Sequence, residues 1–381
     1  MEFPSPSCEF QRLNRDLLSD IIARLDGSSV AAAACACSDV RDVAQDQSLW
    51  QQLCHSTWPS TALEEAQSLI SSSSLGGFNK FYADSYPLVL YDDITRDTTG
   101  NQVCPGLRTC AWPSDFVSLI DIYYKKKCIL SRVVDGIPEA VDIYNDPECN
   151  WDETSNDHQR WFSNCPFKLD ALISKSGTAI GDNDDAAAAS NRYQNLRNLP
   201  CFSNAEGRWR GDFCKELEDL RLSWVLFDKK KGKAVNLSSW KPLLVQRSWH
   251  SGMDYMLRFG CIVPMDEHLL PHKLAECVIL VRCMLTERGG PVMWREISMS
   301  VEDMAGAPLS GRKSLMVLNR ALYCLRSKNH LELEEGYRRF EREKREIKRR
   351  KELREALADR LCISIEIAVF ITFCYACTIF F

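Results

Sequence analysis

The hydrophobic period of this chain changes once, near residue 80, and that change limits the folds open to it. Before it, Leu13, Leu17, Leu18, Ile21, Ile22 and Leu25 recur at helical spacing, and Val40, Val43, Leu49 and Trp50 carry short-helix patterning on to Trp58. After it, Leu220, Leu222, Trp224 and Leu226 alternate, which predicts a half-buried strand. Residues 228–232 follow as a hairpin loop, with Gly232 for a positive φ. Further strands are expected over residues 116–123, 128–134, 243–247, 255–263, 276–285 and 292–301. Short strands at such spacing predict an antiparallel sandwich or barrel-like core, interrupted by a surface insertion over 181–190. A helix with Leu315, Leu318, Leu322 and Leu325 on one stripe closes it. The expected fold class is α+β: three helices, a mainly antiparallel β domain, a charged helix and a hydrophobic C-terminal helix.

The front segment is short for the apolar surface it carries. About forty residues cannot bury that much among themselves. Asp26, Gly27, Ser28 and Ser29 end the first helix and cap a second. That second helix is small-sided from Ala31 to Ala36, so a neighbour can approach its backbone closely. A partner, or the domain that follows, is expected to cover the first helix. Behind residue 58, a helix-prone piece runs into a Ser/Gly-rich linker ending at Gly77.

Composition is that of an ordinary globular chain, with 45% apolar and 26% charged residues and a net charge of -5. The charge is uneven. Between Tyr337 and Arg360 eleven Lys/Arg face six Asp/Glu. This predicts a solvated helix supported by pairs such as Glu341–Arg345 and Glu346–Arg350. It is not the basic face that a nucleic-acid binder spreads over a folded domain, so no nucleic-acid partner is expected. A nuclear address at Lys348 to Lys351 is an alternative use of the run.

Residues 361–381 have only Ser364, Glu366, Thr372 and Thr378 as clearly polar members. A helix of this length spans roughly 31 Å, enough for a bilayer core. A membrane tail anchor is therefore expected, with the basic helix and everything before it on the cytosolic side. Glu366 lies toward the basic end, where it reaches the interface. The alternative is a buried C-terminal helix or strand in a cytoplasmic or nuclear protein.

Eighteen cysteines suggest disulfides until their placement is read. Cys35, Cys37, Cys261, Cys277, Cys283, Cys374 and Cys377 sit inside apolar runs, where free Cys acts as a small hydrophobe. The opening residues have neither the basic n-region nor the apolar core of a signal peptide, so reduced thiols are expected. Catalytic constellations do not stand out: there is no G-x-S-x-G, phosphate-binding Gly loop, dinucleotide fingerprint or paired C-x-x-C. His268 and His272 are separated by Pro271 and are expected on the surface, and Cys54 beside His55 is expected to pack. Trp151, Trp161, Trp209, Trp224, Trp240, Trp249 and Trp294 could offer a sugar-stacking surface, although core roles are expected for most. No cofactor and no metal is expected.

The order of the front residues resembles the F-box. Leu13, Leu17, Leu18, Ile21, Ile22, Leu25, Asp26 and Gly27 match it without a gap, as do Ala34 to Ser38, Val43 to Asp46, and Leu49 with Trp50. Two positions depart: Asn14 stands where proline is usual and Val40 where tryptophan is usual. Asn14 is a competent N-cap, whereas Val40 removes a large ring from the interface or the core. Asp121 to Lys125, Val235 to Trp240, Val245 to Trp249 and Val301 to Gly306 further resemble plant F-box proteins with uncharacterised C-terminal domains.

With that resemblance the chain divides into an F-box over 12–58, a helix and linker over 59–80, and a β-rich substrate-recognition domain over 81–327. A charged helix over 328–360 and the tail anchor over 361–381 complete it. The resemblance implies a non-catalytic subunit of an SCF-type cullin ubiquitin ligase. Leu13, Leu17, Leu18, Ile21, Ile22, Val30, Leu49 and Trp50 would bear or support contact with a Skp-family adaptor, itself joined to a cullin scaffold. The β-rich domain would hold an unknown protein substrate. The alternatives are a lectin-like binding module and a tail-anchored structural protein with a degenerate F-box.

Overall fold

The front helices begin where short polar side chains can cap them. The computed structural model describes residues 14–36, 38–72, 76–88, 112–137, 166–173, 213–248, 254–265, 270, 272–285 and 292–380, the side chains of 330, 373–374 and 376–380 excepted. Helix α1 (Arg15–Ile22) starts at Asn14, whose extended backbone and side-chain acceptor for the Asp16 amide make it the N-cap expected. Helix α2 (Gly27–Ala36) is capped by Asp26, which accepts from the Ser28 and Ser29 amides at 2.9 Å. Those donors and the Ser28 hydroxyl hold the Asp26 carboxyl down at about 2. Helices α3 (Ser38–Ala44) and α4 (Gln47–Thr57) follow, the latter capped by Asp46.

The helical layer does not stop at residue 58. A 3-10 turn (Pro59–Ala62), α5 (Glu64–Ser72) and α6 (Gly77–Asp84) continue it. Ala66, Ile70, Phe78, Phe81 and Tyr82 share one buried cluster with Leu18, Ile22, Val30, Val40, Leu49, Trp50 and Trp58. Gly27 shows how closely α2 and α6 approach. Its amide donates to the Tyr82 hydroxyl at 3.2 Å, and an added Cβ would stand 2.3 Å from that ring. The signal for α6, three aromatics (Phe78, Phe81 and Tyr82) within five residues of a Gly pair, was hidden by the Ser/Gly composition in front of it.

Two antiparallel sheets follow. Sheet one has the order β2-β1-β4-β5, from β1 (Phe116–Tyr124), β2 (Lys127–Asp135), β4 (Leu220–Asp228) and β5 (Lys233–Asn236). Sheet two has the order β3-β9-β8-β7-β6, from β3 (Lys168–Ile173), β6 (Leu244–Arg247), β7 (Asp254–Pro264), β8 (Leu274–Leu285) and β9 (Val292–Asp303). Between β3 and β4 comes the short helix α7 (Phe213–Leu217). Ile120, Leu222 and Trp224 from sheet one meet Phe259, Ile279 and Met299 from sheet two in the main core. Helix α8 (Gly311–Ala321) closes that core with Val317, Leu318 and Ala321. Leu322 is also buried, whereas Leu325 from the expected stripe is 55% exposed. The α+β class holds.

The half-buried strand expected over β4 is instead buried on both faces. Leu222, Trp224 and Leu226 face the inter-sheet core, while Val225 and Phe227 join the helical cluster with Val117, Leu119 and Ala234. Sheet one is thus an inner layer, and this explains why β1 is buried along its whole length rather than on alternate residues. The hairpin loop after β4 is as expected, with Gly232 at φ 58°. The insertion over 181–190 lies outside the described residues.

The last helix, α9 (His330–Phe380), runs without a break through the charged segment and into the tail. The charge run predicts a solvated helix, but its first turns are partly buried. Tyr337 and Phe340 are buried against Ile262, Leu274 and Met304 on the outer face of sheet two. The tail anchor is not supported. Among the described residues no helix is long and apolar enough to cross a membrane. The described stretch running up to Thr372 is interrupted by Glu355, Asp359, Arg360 and Glu366, and most side chains of the expected span beyond Thr372 lie outside the described residues.

Candidate partner-binding site

Helix α1 is two-faced. Leu18 and Ile22 are 3% and 2% exposed and pack inward, whereas Leu17 and Ile21 are 56% and 45% exposed. Leu17 and Ile21 stand four residues apart, so they lie one above the other on a single outward face. The charged Arg15, Asp16 and Asp20 are exposed on the same helix. Fully burying a leucine or isoleucine side chain contributes roughly 1.5–3 kcal/mol. Among the described residues nothing covers this ridge.

The other residues expected at the site sort by burial. Val30, Leu49 and Trp50 are 0%, 5% and 5% exposed and form the floor under α1 rather than its surface. Trp50 is locked in place, donating from Nε1 to the Ala44 carbonyl at 2.6 Å and packing 5.4 Å from the Tyr82 ring. Leu13 lies outside the described residues. Val40, the departure from tryptophan, is buried among the helices, so the substitution alters the core and not the outward ridge.

What sequence reasoning missed is the joint that fixes this module on the β layers. Asp121, on the helix-facing side of β1, is fully buried. It accepts from the Ser60 amide at 2.8 Å, the Ser60 hydroxyl at 2.6 Å and the Ser131 hydroxyl at 2.6 Å. Burial pushes its carboxyl up to about 6, against the opposing pull of those donors. Beside it the Tyr123 hydroxyl donates to the Thr57 carbonyl, and the Phe81 and Phe227 rings stand 5.9 Å apart. Arg326 ties the far end, donating to the carbonyls of Asp84 and Ala234 at 2.7 Å each. A carboxylate in the middle of a mostly apolar strand was the sequence signal for this joint.

The sugar-stacking surface finds no support among the described rings. Trp224 and Trp294 are 0% and 1% exposed, and Trp240 is part-buried and packs 5.3 Å from the Tyr123 ring. Trp151, Trp161, Trp209 and Trp249 lie outside the described residues, as do His268 and Pro271. Cys54 is buried at the foot of α4, where burial pushes its thiol far above the ordinary range. It packs, with its sulfur donating to the Phe78 carbonyl.

The outward ridge of α1 stands over a floor of Val30, Leu49 and Trp50, within the segment whose order in the sequence resembles the F-box. Known sequences agree. F-box protein At3g44326 of Arabidopsis thaliana is 29% identical over 309 residues, covering 80% of this chain and 71% of the relative. Probable F-box protein At2g36090 of the same plant is 29% identical over 363 residues, 94% of this chain and 90% of the relative. F-box protein GID2 of Oryza sativa subsp. japonica is 34% identical over 71 residues, only 19% of this chain and 34% of the relative. The chain resembles plant F-box proteins over most of its length. No family model matches it, and no solved structure matches it.

Proposed function

We propose that this chain is the substrate-recognition adaptor of an SCF-type cullin ubiquitin ligase. The observation that carries this role is the α1 ridge of Leu17 and Ile21, exposed on a module whose relatives are named F-box proteins. In this role a Skp-family adaptor covers the ridge, and through it a cullin scaffold is recruited. The β layers hold a protein to be modified. The chain performs no chemistry itself; it raises the effective concentration of its cargo beside the charged conjugating enzyme. Because the module and sheet one share a core, the cargo is presented at a fixed distance and angle from the adaptor.

Co-purification tests this. The full chain should retain a plant Skp-type adaptor and its cullin, and Leu17→Asp with Ile21→Asp should release both. These are surface positions, so the variant keeps its fold while forcing two carboxylates into an apolar contact. Retention of the adaptor by the double variant would remove the ridge from the interface. Absence of capture by the wild-type chain would remove the ligase role altogether.

A further inference from the structure

On the outer side of sheet two lies a groove of about 780 Å³ that the adaptor role does not use. Strand β6 pairs with β7 only from Tyr255 to Arg258, while β7 runs on to Pro264. Beyond Arg258 the edge of β7 is flanked by an irregular segment, with the Gly260 amide donating to the Ser239 hydroxyl at 3.4 Å. Helix α9 crosses opposite, and the space between becomes the groove. Its walls are apolar at Pro242, Leu243, Leu333 and Tyr337. Its mouth is spanned by the Lys241–Glu334 pair at 3.6 Å.

Charge at this groove has two levels. Behind the wall formed by Arg258 and Tyr337, Glu276 is fully buried and meets the Arg258 guanidinium at 2.7 Å and Lys344 Nζ at 2.6 Å, with the Tyr337 hydroxyl also donating to it. Glu302 closes the set, 3.3 Å from Lys344 and 3.9 Å from Arg258. Two cations meet two carboxylates there, so the interior is neutral. The rim is not. Lys241, Arg338, Arg342 and Arg345 line it against only Glu334 and Glu341. Arg338 and Lys241 share Glu334, whereas among the described residues Arg342 and Arg345 reach only backbone carbonyls, at 3.4 and 3.3 Å. Arg258 Nε, under the rim, is buried without a hydrogen-bond partner. On a chain of net charge -5, a cationic rim over an apolar trough is a local reversal.

We propose that this groove receives an acidic protein segment carrying one apolar anchor, its carboxylates on Arg342 and Arg345 and its anchor against Leu243, Leu333 and Tyr337. The assignment of that segment to a cargo protein rests on the adaptor role; the complementarity of charge and apolar trough does not. A guanidinium presents a planar fork of donors suited to carboxylates, and two forks one helical turn apart select spaced acidic residues.

A randomised peptide-display library panned against the full chain tests the proposal. Peptides with Asp or Glu flanking Leu or Phe should be enriched, and their binding should weaken as salt rises. On the Arg342→Glu, Arg345→Glu double variant the same peptides should bind at least about tenfold more weakly, with the melting temperature and Skp-adaptor capture unchanged. No enrichment, enrichment of neutral or basic sequences, or equal binding to the variant overturns the proposal. Displacement of the peptides by millimolar citrate alone would assign the rim to small anions and overturn it too. Loss of adaptor capture by the wild-type chain, with acidic peptides still bound, would sink the ligase role and leave the groove standing.

Discussion

The outer faces of the two sheets are both covered by helices, but by opposite chemistry. Sheet one meets the helical module through Val117, Leu119, Val225, Phe227 and Ala234, with a single buried carboxylate, Asp121, among them. Sheet two meets α9 through an ionic set, Arg258, Glu276, Glu302 and Lys344, of which only Glu276 is fully buried, with a small apolar cluster around Tyr337 and Phe340. An apolar joint of that size is a core, and its two sides fold as one. A paired-charge joint contributes less net stability, because desolvating the ions offsets much of their attraction. The comparison teaches that the F-box-like module is built into the β layers, whereas α9 is laid on them and leaves a groove along its side.

Truncation at the first joint should be the most damaging change. Phe227→Ala leaves a cavity against Phe81 and should cost about 3–5 kcal/mol, read by urea unfolding. Module and sandwich should lose structure in a single transition; two separated transitions would break the idea of a shared core. At the second joint, Glu276→Gln leaves Arg258 and Lys344 with only Glu302 and should cost about 2–4 kcal/mol. Hydrogen exchange should then accelerate over residues 333–347 while α1 to α6 keep their protection.

The buried carboxylate of the first joint sets a pH dependence of definite sign. Asp121 has its folded pKa raised to about 6, so the folded state binds the proton more tightly than the unfolded chain does. That contribution to stability is complete below about pH 4 and is lost as pH rises through about 6, a change of about 2–3 kcal/mol. Asp121→Asn should flatten this part of the stability profile relative to wild type in denaturant titrations at stepped pH. A profile that the variant leaves unchanged would mean Asp121 does not titrate there. The smallest effect belongs to an exposed pair: Lys241→Ala should change stability by less than about 1 kcal/mol.

How much of this was legible beforehand follows from where each signal lives. Seven of the nine described strands were readable from their apolar runs, whereas the short β3 and β5 were missed; the caps Asn14 and Asp26 were readable as residue types. The double burial of β4 was not, because alternation reports only the face that is apolar; Arg221 and Ser223 masked the second one. The split of the α1 residues into an outward pair, Leu17 and Ile21, and an inward pair, Leu18 and Ile22, needs the rotation of the helix on its neighbours. Sequence spacing places all four on one broad stripe. The groove beside α9 was illegible for a similar reason. The basic run reads as solvent-facing until Lys344 and Tyr337 are seen on the sheet, which turns Arg342 and Arg345 to the rim.

The adaptor role is tested most directly by calorimetric titration of the full chain with a purified plant Skp-type adaptor. The wild-type chain and Asn14→Pro should bind with measurable heat. Leu17→Asp with Ile21→Asp should abolish binding while melting within a few degrees of wild type. Equal affinity for the double variant, or no heat from the wild-type chain, would contradict the account.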